Sequence, residues 1–144
     1  MNISELREQH EEIGQIAAQL RQAIADPEKS QAVSALRWQL ARKLMAHLAL
    51  EDRILYPAMQ RLPDERVRLT AARIQAEIGS LAESFAHYMS AWSDERISRE
   101  WRSFCTETLH ILNALTQRID REDNILYPLA SAEQQPGTPV ARAG

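Results

Sequence analysis

The sequence predicts an all-α protein, an up-down-up-down four-helix bundle. Three observations carry that reading. Apolar residues recur at helical spacing along almost the whole chain, nothing reads as a strand, and Pro27, Pro57, Pro63 and Pro128 all stand where the periodicity breaks. The breaks are short, so successive helices are expected to be antiparallel neighbours.

The first helix, roughly 3–25, carries Ile3, Leu6, His10, Ile13, Ala17, Leu20 and Ile24 on one stripe. Asn2 and Glu5 have capping-box spacing, and Asp26-Pro27 closes the helix. The second, roughly 29–60, carries Val33, Leu36, Leu40, Leu44, His47, Glu51, Ile54 and Ala58, with Asp26 or Ser30 as its cap. The third, roughly 64–92, starts near Asp64 and carries Ala71, Ile74, Ile78, Leu81, Phe85, Tyr88 and Trp92. The fourth, roughly 98–129, carries Trp101, Phe104, Thr108, Ile111, Leu115, Arg118, Glu122, Ile125 and Leu129. Residues 1–130 form one domain. Residues 131–144 are small, polar and aperiodic, and are expected to be a disordered tail.

Composition narrows the function classes. A chain of 144 residues can bury a core of its own. Its net charge of -3 gives no electrostatic reason to bind nucleic acid or an anionic membrane. There is no apolar run of membrane-spanning length, and the polar start Met1-Asn2-Ile3-Ser4-Glu5 is unlike a signal peptide. A single cysteine, Cys105, excludes an internal disulfide and fits a reducing compartment, so a cytoplasmic location is expected, with Cys105 as a buried structural thiol.

The chain also repeats itself. Glu51-Asp52-Arg53-Ile54-Leu55-Tyr56-Pro57 recurs 71 residues later as Glu122-Asp123-Asn124-Ile125-Leu126-Tyr127-Pro128, with six of seven positions identical. A weaker echo relates Glu12-Ile13-Gly14 to Glu77-Ile78-Gly79, 65 residues on. Helices 1 and 2 thus read as one hairpin and helices 3 and 4 as its relative. A shared helix-stop sequence is the plainer alternative.

Polar residues on the apolar stripes mark a candidate site. His47 and Glu51 are four apart and project from one face, as do Arg118 and Glu122, and His10 sits between Leu6 and Ile13. Buried charges need partners or a metal. His10, His47, Glu51 and Glu122, from three facing helices, offer the nitrogen and oxygen donors that suit iron, manganese or zinc. Each has a bland alternative: a satisfied core histidine for His10, a plain ion pair with Arg118 for Glu122. His87 and His110 fall off the stripes and are expected in solvent, and Glu107–His110 is an isolated pair on a polar face. Tyr56 and Tyr127 are expected to pack at the bundle end.

His10, then His47-Leu48-Ala49-Leu50-Glu51, then Ile54-Leu55-Tyr56-Pro57, resembles the hemerythrin-like (HHE) cation-binding family, and the resemblance spans residues 3–130. It implies a hemerythrin-like bundle with a di-iron centre held by histidines and two bridging carboxylates. Carried over, His10, His47, Glu51 and Glu122 match family ligands. The helix 4 histidine is Arg118 here, and the echo places Gln75 where His10 stands in the first hairpin, with Glu77 the next candidate if the echo is shifted. His87 lies twelve residues beyond Gln75, about 18 Å too far along the axis to serve instead. One half-site is therefore intact and the other has lost its imidazoles. Arg118 cannot ligate a metal, but can pair with Glu51 and Glu122 in the second ion's place.

With only one half-site kept, the expected protein is a non-enzymatic binding protein holding at most one metal ion, iron, through His10, His47, Glu51 and Glu122, and the resemblance implies a role in sensing or handling iron, oxygen or nitric oxide. A small diatomic ligand is the implied partner. The competing reading is a metal-free scaffold acting through protein contacts. Trp38, off the apolar stripe, suits a homodimer or partner surface. A di-iron enzyme would need a second metal site.

Overall fold

The structure, a computed structural model, describes residues 2–134. It is all-helical, and among the described residues there is no strand. The first rod is α1 (Ile3–Ala23). The second is α2 (Ser34–Leu50), a π-helical turn π1 (Glu51–Leu55) and α3 (Tyr56–Met59). The third is α4 (Glu65–Ile78) followed by α5 (Leu81–Ala91). After a short helix, α6 (Asp94–Arg99), the fourth rod is α7 (Trp101–Arg121), a second π turn π2 (Glu122–Leu126) and α8 (Tyr127–Gln134).

Side-chain contacts give the topology. Gln9 meets His47 while Glu12 meets Lys43, so α1 and α2 run antiparallel. His10 meets Asp123 while Arg21 meets Thr116, so α1 also opposes the fourth rod. Glu77 pairs with Arg121 and Tyr88 with Thr108, which sets the third rod against the fourth. Contacts of α2 with α5 and of α3 with α4 close the ring. No helix among the described residues is long and apolar enough to cross a membrane.

Several boundaries differ from expectation for local reasons. Asn2 does cap α1, accepting from the Glu5 amide, and Asp64 caps α4 through the Arg66 and Val67 amides. The second rod, however, begins at Ser34 rather than 29, with no side-chain cap. Asp26 instead accepts from the Glu28 amide in the preceding turn. The third rod breaks at Gly79-Ser80. A Cβ on Gly79 would stand 2.4 Å from the Gln75 carbonyl oxygen, so only glycine fits this tight break. The fourth rod starts at Trp101, because Ser93 caps the separate α6. It continues to Gln134, so residues 131–134 extend the helix instead of starting a tail. Positions 135–144 lie outside the described residues.

The two π turns sit within the repeated motif, just ahead of Pro57 and Pro128. Proline has no N–H to donate and crowds the carbonyl four residues before it. Widening the turn, so that Tyr56 donates to Glu51 and Tyr127 to Glu122, absorbs one residue there. The burial phase shifts as a result. Leu55, Tyr56 and Met59 are buried where Ile54 and Ala58 were expected, and Ile54 is exposed. In the fourth rod, Leu126, Tyr127 and Ala130 are buried while Ile125 and Leu129 are only half-buried.

The core falls into two apolar clusters. One contains Ile13, Leu44, Leu81 and Leu115 and is closed by Trp92, Trp101 and Phe104. The other contains Leu6, Leu55, Ile74 and Leu126. His10, His47, Glu51, Arg118 and Glu122 fall between these sets along their rods, so a buried polar layer separates two dry ones. Cys105 is buried in the first cluster, as expected, and burial with the nearby Asp26 charge raises its thiol pKa.

Candidate metal centre

The expected ligand residues converge. His10, His47, Glu51 and Glu122 are all buried, and one ligand atom from each lies within 4.8 Å of the others. His10 Nε2 is 3.1 Å from Glu122 Oε1, and His47 Nε2 is 3.2 Å from Glu51 Oε1. The two imidazoles are adjacent, with ring centroids 4.7 Å apart. Their outer nitrogens are held from behind. His10 Nδ1 is 2.8 Å from Asp123 Oδ1 and His47 Nδ1 is 2.7 Å from Gln9 Oε1. With Nδ1–H donating outward, each Nε2 is aimed into the cluster, the arrangement that orients a metal-binding imidazole.

Arg118 fills the other side. It is almost fully buried. Its Nε donates to Glu122 Oε2 at 2.9 Å, and its Nη2 to Glu51 Oε1 at 3.1 Å and Asp52 Oδ1 at 2.7 Å. Its Nη1 lies 3.5 Å from the Ile78 carbonyl oxygen. Gln75 is absent from this group: half-buried, it accepts a hydrogen bond from Gln60 at 2.7 Å. The third rod thus presents a backbone carbonyl, not a side-chain ligand. His87 and His110 are exposed, as expected.

Tyr56 and Tyr127 do more than pack at the bundle end. The Tyr127 hydroxyl donates to Glu51 Oε2 at 2.5 Å and lies 3.0 Å from His10 Nε2 and 3.5 Å from His47 Nε2. The Tyr56 hydroxyl donates to Glu122 Oε2 at 2.9 Å. Each tyrosine therefore serves the glutamate of the opposite hairpin. Asp52 and Asp123 likewise face the cation or imidazole of the other hairpin. These four residues stand inside the repeated motif, and their duplication alongside the glutamates was the available signal. Periodicity hid it, because the π turns change which side of the helix they face.

Burial shapes the electrostatics. It would push Glu51 up, but the hydrogen bond and charge of His47, with Arg118 behind, outweigh it and hold Glu51 low and ionised. Burial drives Glu122 upward, and the neighbouring Glu51 charge adds to this, against the pull of His10 and Arg118. One of two facing carboxylates is thus the natural seat for a proton. Burial disfavours charge on His10, yet its bonds to Glu122 and Asp123 raise its pKa above the ordinary value. Both tyrosines are pushed up, chiefly by burial, and stay as phenols.

The donor set decides what fits. Two imidazole nitrogens and two carboxylates at this spacing suit one borderline cation such as iron, manganese or zinc. Beside these donors stands the Arg118 guanidinium, which supplies no ligand atom. A groove of about 570 Å³ between α1 and α2, lined by Glu5, Glu8, Glu12 and Lys43 among others, reaches His47 from outside.

A four-helix bundle with a buried His-Glu cluster defines a cation-binding helical bundle. The chain matches the family model described as the hemerythrin HHE cation binding domain over residues 1–130, and it belongs to that family. No curated protein and no solved structure gives a significant match to it.

Proposed function

We propose that this protein binds a single metal cation, iron in the cell, at His10, His47, Glu51 and Glu122, and that it acts as a binding protein rather than an enzyme. The carrying observation is the convergence of four buried ligand atoms within 4.8 Å, both imidazoles oriented from behind. The donors allow iron, manganese or zinc; iron, and a role in sensing or handling iron, oxygen or nitric oxide, come from the family. A second reading has its own support. The Tyr127 hydroxyl lies between the ligand nitrogens and Glu51, and every buried side-chain nitrogen and oxygen of the cluster has a hydrogen-bond partner. That network would also serve a metal-free scaffold acting through protein contacts, with Trp38 exposed on α2.

Elemental analysis of protein made in iron-replete cells separates the two. The expected result is one ion per chain, with binding weakened at least tenfold in His47→Ala, since coordination involves all four side chains. Metal at background level, or binding indifferent to His47→Ala and His10→Ala, would favour the scaffold.

A further inference from the structure

The repeat and the geometry together point to a second cation position, and we infer that Arg118 fills it as a built-in cation that limits the centre to one ion. The inference rests on the one-ion reading above and extends it to capacity. Repeat positions pair His47 with Arg118, Glu51 with Glu122, Asp52 with Asp123 and Tyr56 with Tyr127, each 71 residues apart. The contacts obey the same relation. His47 Nε2 faces Glu51 in its own rod, and Arg118 Nε faces Glu122 in its own. Tyr127 donates to Glu51, and Tyr56 to Glu122. The aspartates depart from it: Asp123 faces His10, whereas Asp52 faces Arg118, because Gln75, the repeat counterpart of His10, is bonded to Gln60 outside the group. The layer thus has two similar halves, one offering imidazole nitrogens to an ion from solution and the other already holding a positive charge.

The acceptors around Arg118 are those a metal would want. Oxygens of Glu51, Asp52 and Glu122 converge on it from two rods, and the third adds the Ile78 carbonyl. That carbonyl is available because the break at Gly79-Ser80 interrupts the helical ladder. The repeat partner Gly14 lies in an unbroken α1 with nothing close to it. Breaking the helix only in the Arg118 half suits a seat for a guanidinium with five donors to satisfy. The Tyr56 ring lies 5.6 Å from the guanidinium carbon and completes the enclosure. A guanidinium here balances Glu51 and Glu122 in the absence of metal and bars a second ion from the seat.

The test uses zinc as the probe, with metal content and melting of the full chain as readouts. Parent protein should take one zinc per chain. Arg118→His adds an imidazole to three carboxylates and should take two. Arg118→Met should melt about 10 °C below the parent without metal, as a buried pair broken on one side does. Arg118→Lys, which keeps the charge, should recover at least half of that loss, and zinc should raise the Arg118→Met midpoint more than the parent's. Two zinc ions on the parent would overturn the inference. So would an Arg118→Met loss that neither lysine nor zinc repairs, which would make Arg118 a packing residue. Should Arg118→His fail to fold, the lysine and methionine comparison decides. A parent that takes no zinc refutes the one-ion reading alone, and the same comparison in metal-free protein still judges Arg118.

Discussion

Among the described residues two arginines are almost completely buried, each 1% exposed, and they differ in what faces them. Arg118 meets three carboxylates and a carbonyl. Arg37, about 15 Å along α2 from His47 at 1.5 Å per residue, has Nε and Nη2 without any acceptor among the described residues. It lies against aromatic rings instead, with its guanidinium carbon 5.1 Å from the Tyr88 centroid and 5.5 Å from that of Phe104. Cation–π contact returns about 2 kcal/mol when desolvated, while burying an unpaired charge costs several. The balance for Arg37 is therefore unfavourable. Arg37→Met, which keeps length and removes charge, should melt at or above the parent. A midpoint more than about 5 °C lower would show that the Arg37 charge has a partner the packing does not reveal. The sequence placed Arg118 correctly because it interrupts an apolar stripe. The same signal was present for Arg37, which stands four residues after Val33 and three before Leu40 on the stripe of α2, but it was not read there.

At the scale of the element, the site depends on two widened turns. Without π1 and π2, helical phase would keep Ile54 and Ile125 inward, as the apolar pattern suggests. With them, Tyr56 and Tyr127 turn into the polar layer. The pattern could not show this, because Ile54-Leu55 and Ile125-Leu126 are apolar pairs and a one-residue slip exchanges one apolar residue for its neighbour. The four rods and the convergence of His10, His47, Glu51 and Glu122 were legible because they rest on long stripes. The break at Gly79 and the late start at Ser34 were not, because each depends on local backbone contacts. The tyrosines make the π turns testable. Removing the Tyr127 hydroxyl leaves a buried Glu51 oxygen short of a donor, which costs about 1–3 kcal/mol. The penalty falls on the metal-free form, since an ion can satisfy the same oxygen. Tyr127→Phe should therefore melt lower than the parent without metal, and show a larger rise when zinc is added. Equal rises in the two proteins would mean that the hydroxyl and the ion do not share Glu51.

Across the whole molecule, the polar layer joins the rods unequally. The candidate donors come from the first (His10), the second (His47 and Glu51) and the fourth (Glu122), while the third adds no side chain to the cluster. An ion bound at 100 times its dissociation constant stabilises the folded state by about 2.7 kcal/mol. For a chain of this size that raises the melting midpoint by about 5–10 °C. Amides that exchange only through global unfolding should all slow by one common factor. Amides that exchange through local opening should slow further only where the ion ties down the opening segment. Zinc should therefore add local protection around residues 7–14, 44–51 and 118–126, beyond the common factor. The segment Leu81–Ala91 packs in the apolar cluster beyond the polar layer, and should show the common factor alone. Hydrogen exchange with and without zinc checks this. Extra protection in Leu81–Ala91 equal to that around His10 and His47 would mean either that the ion sits elsewhere or that the third rod is bound into the centre. Because the third rod presents only the Ile78 carbonyl, and presents it to Arg118, its indifference to zinc is what a one-ion centre of this geometry requires.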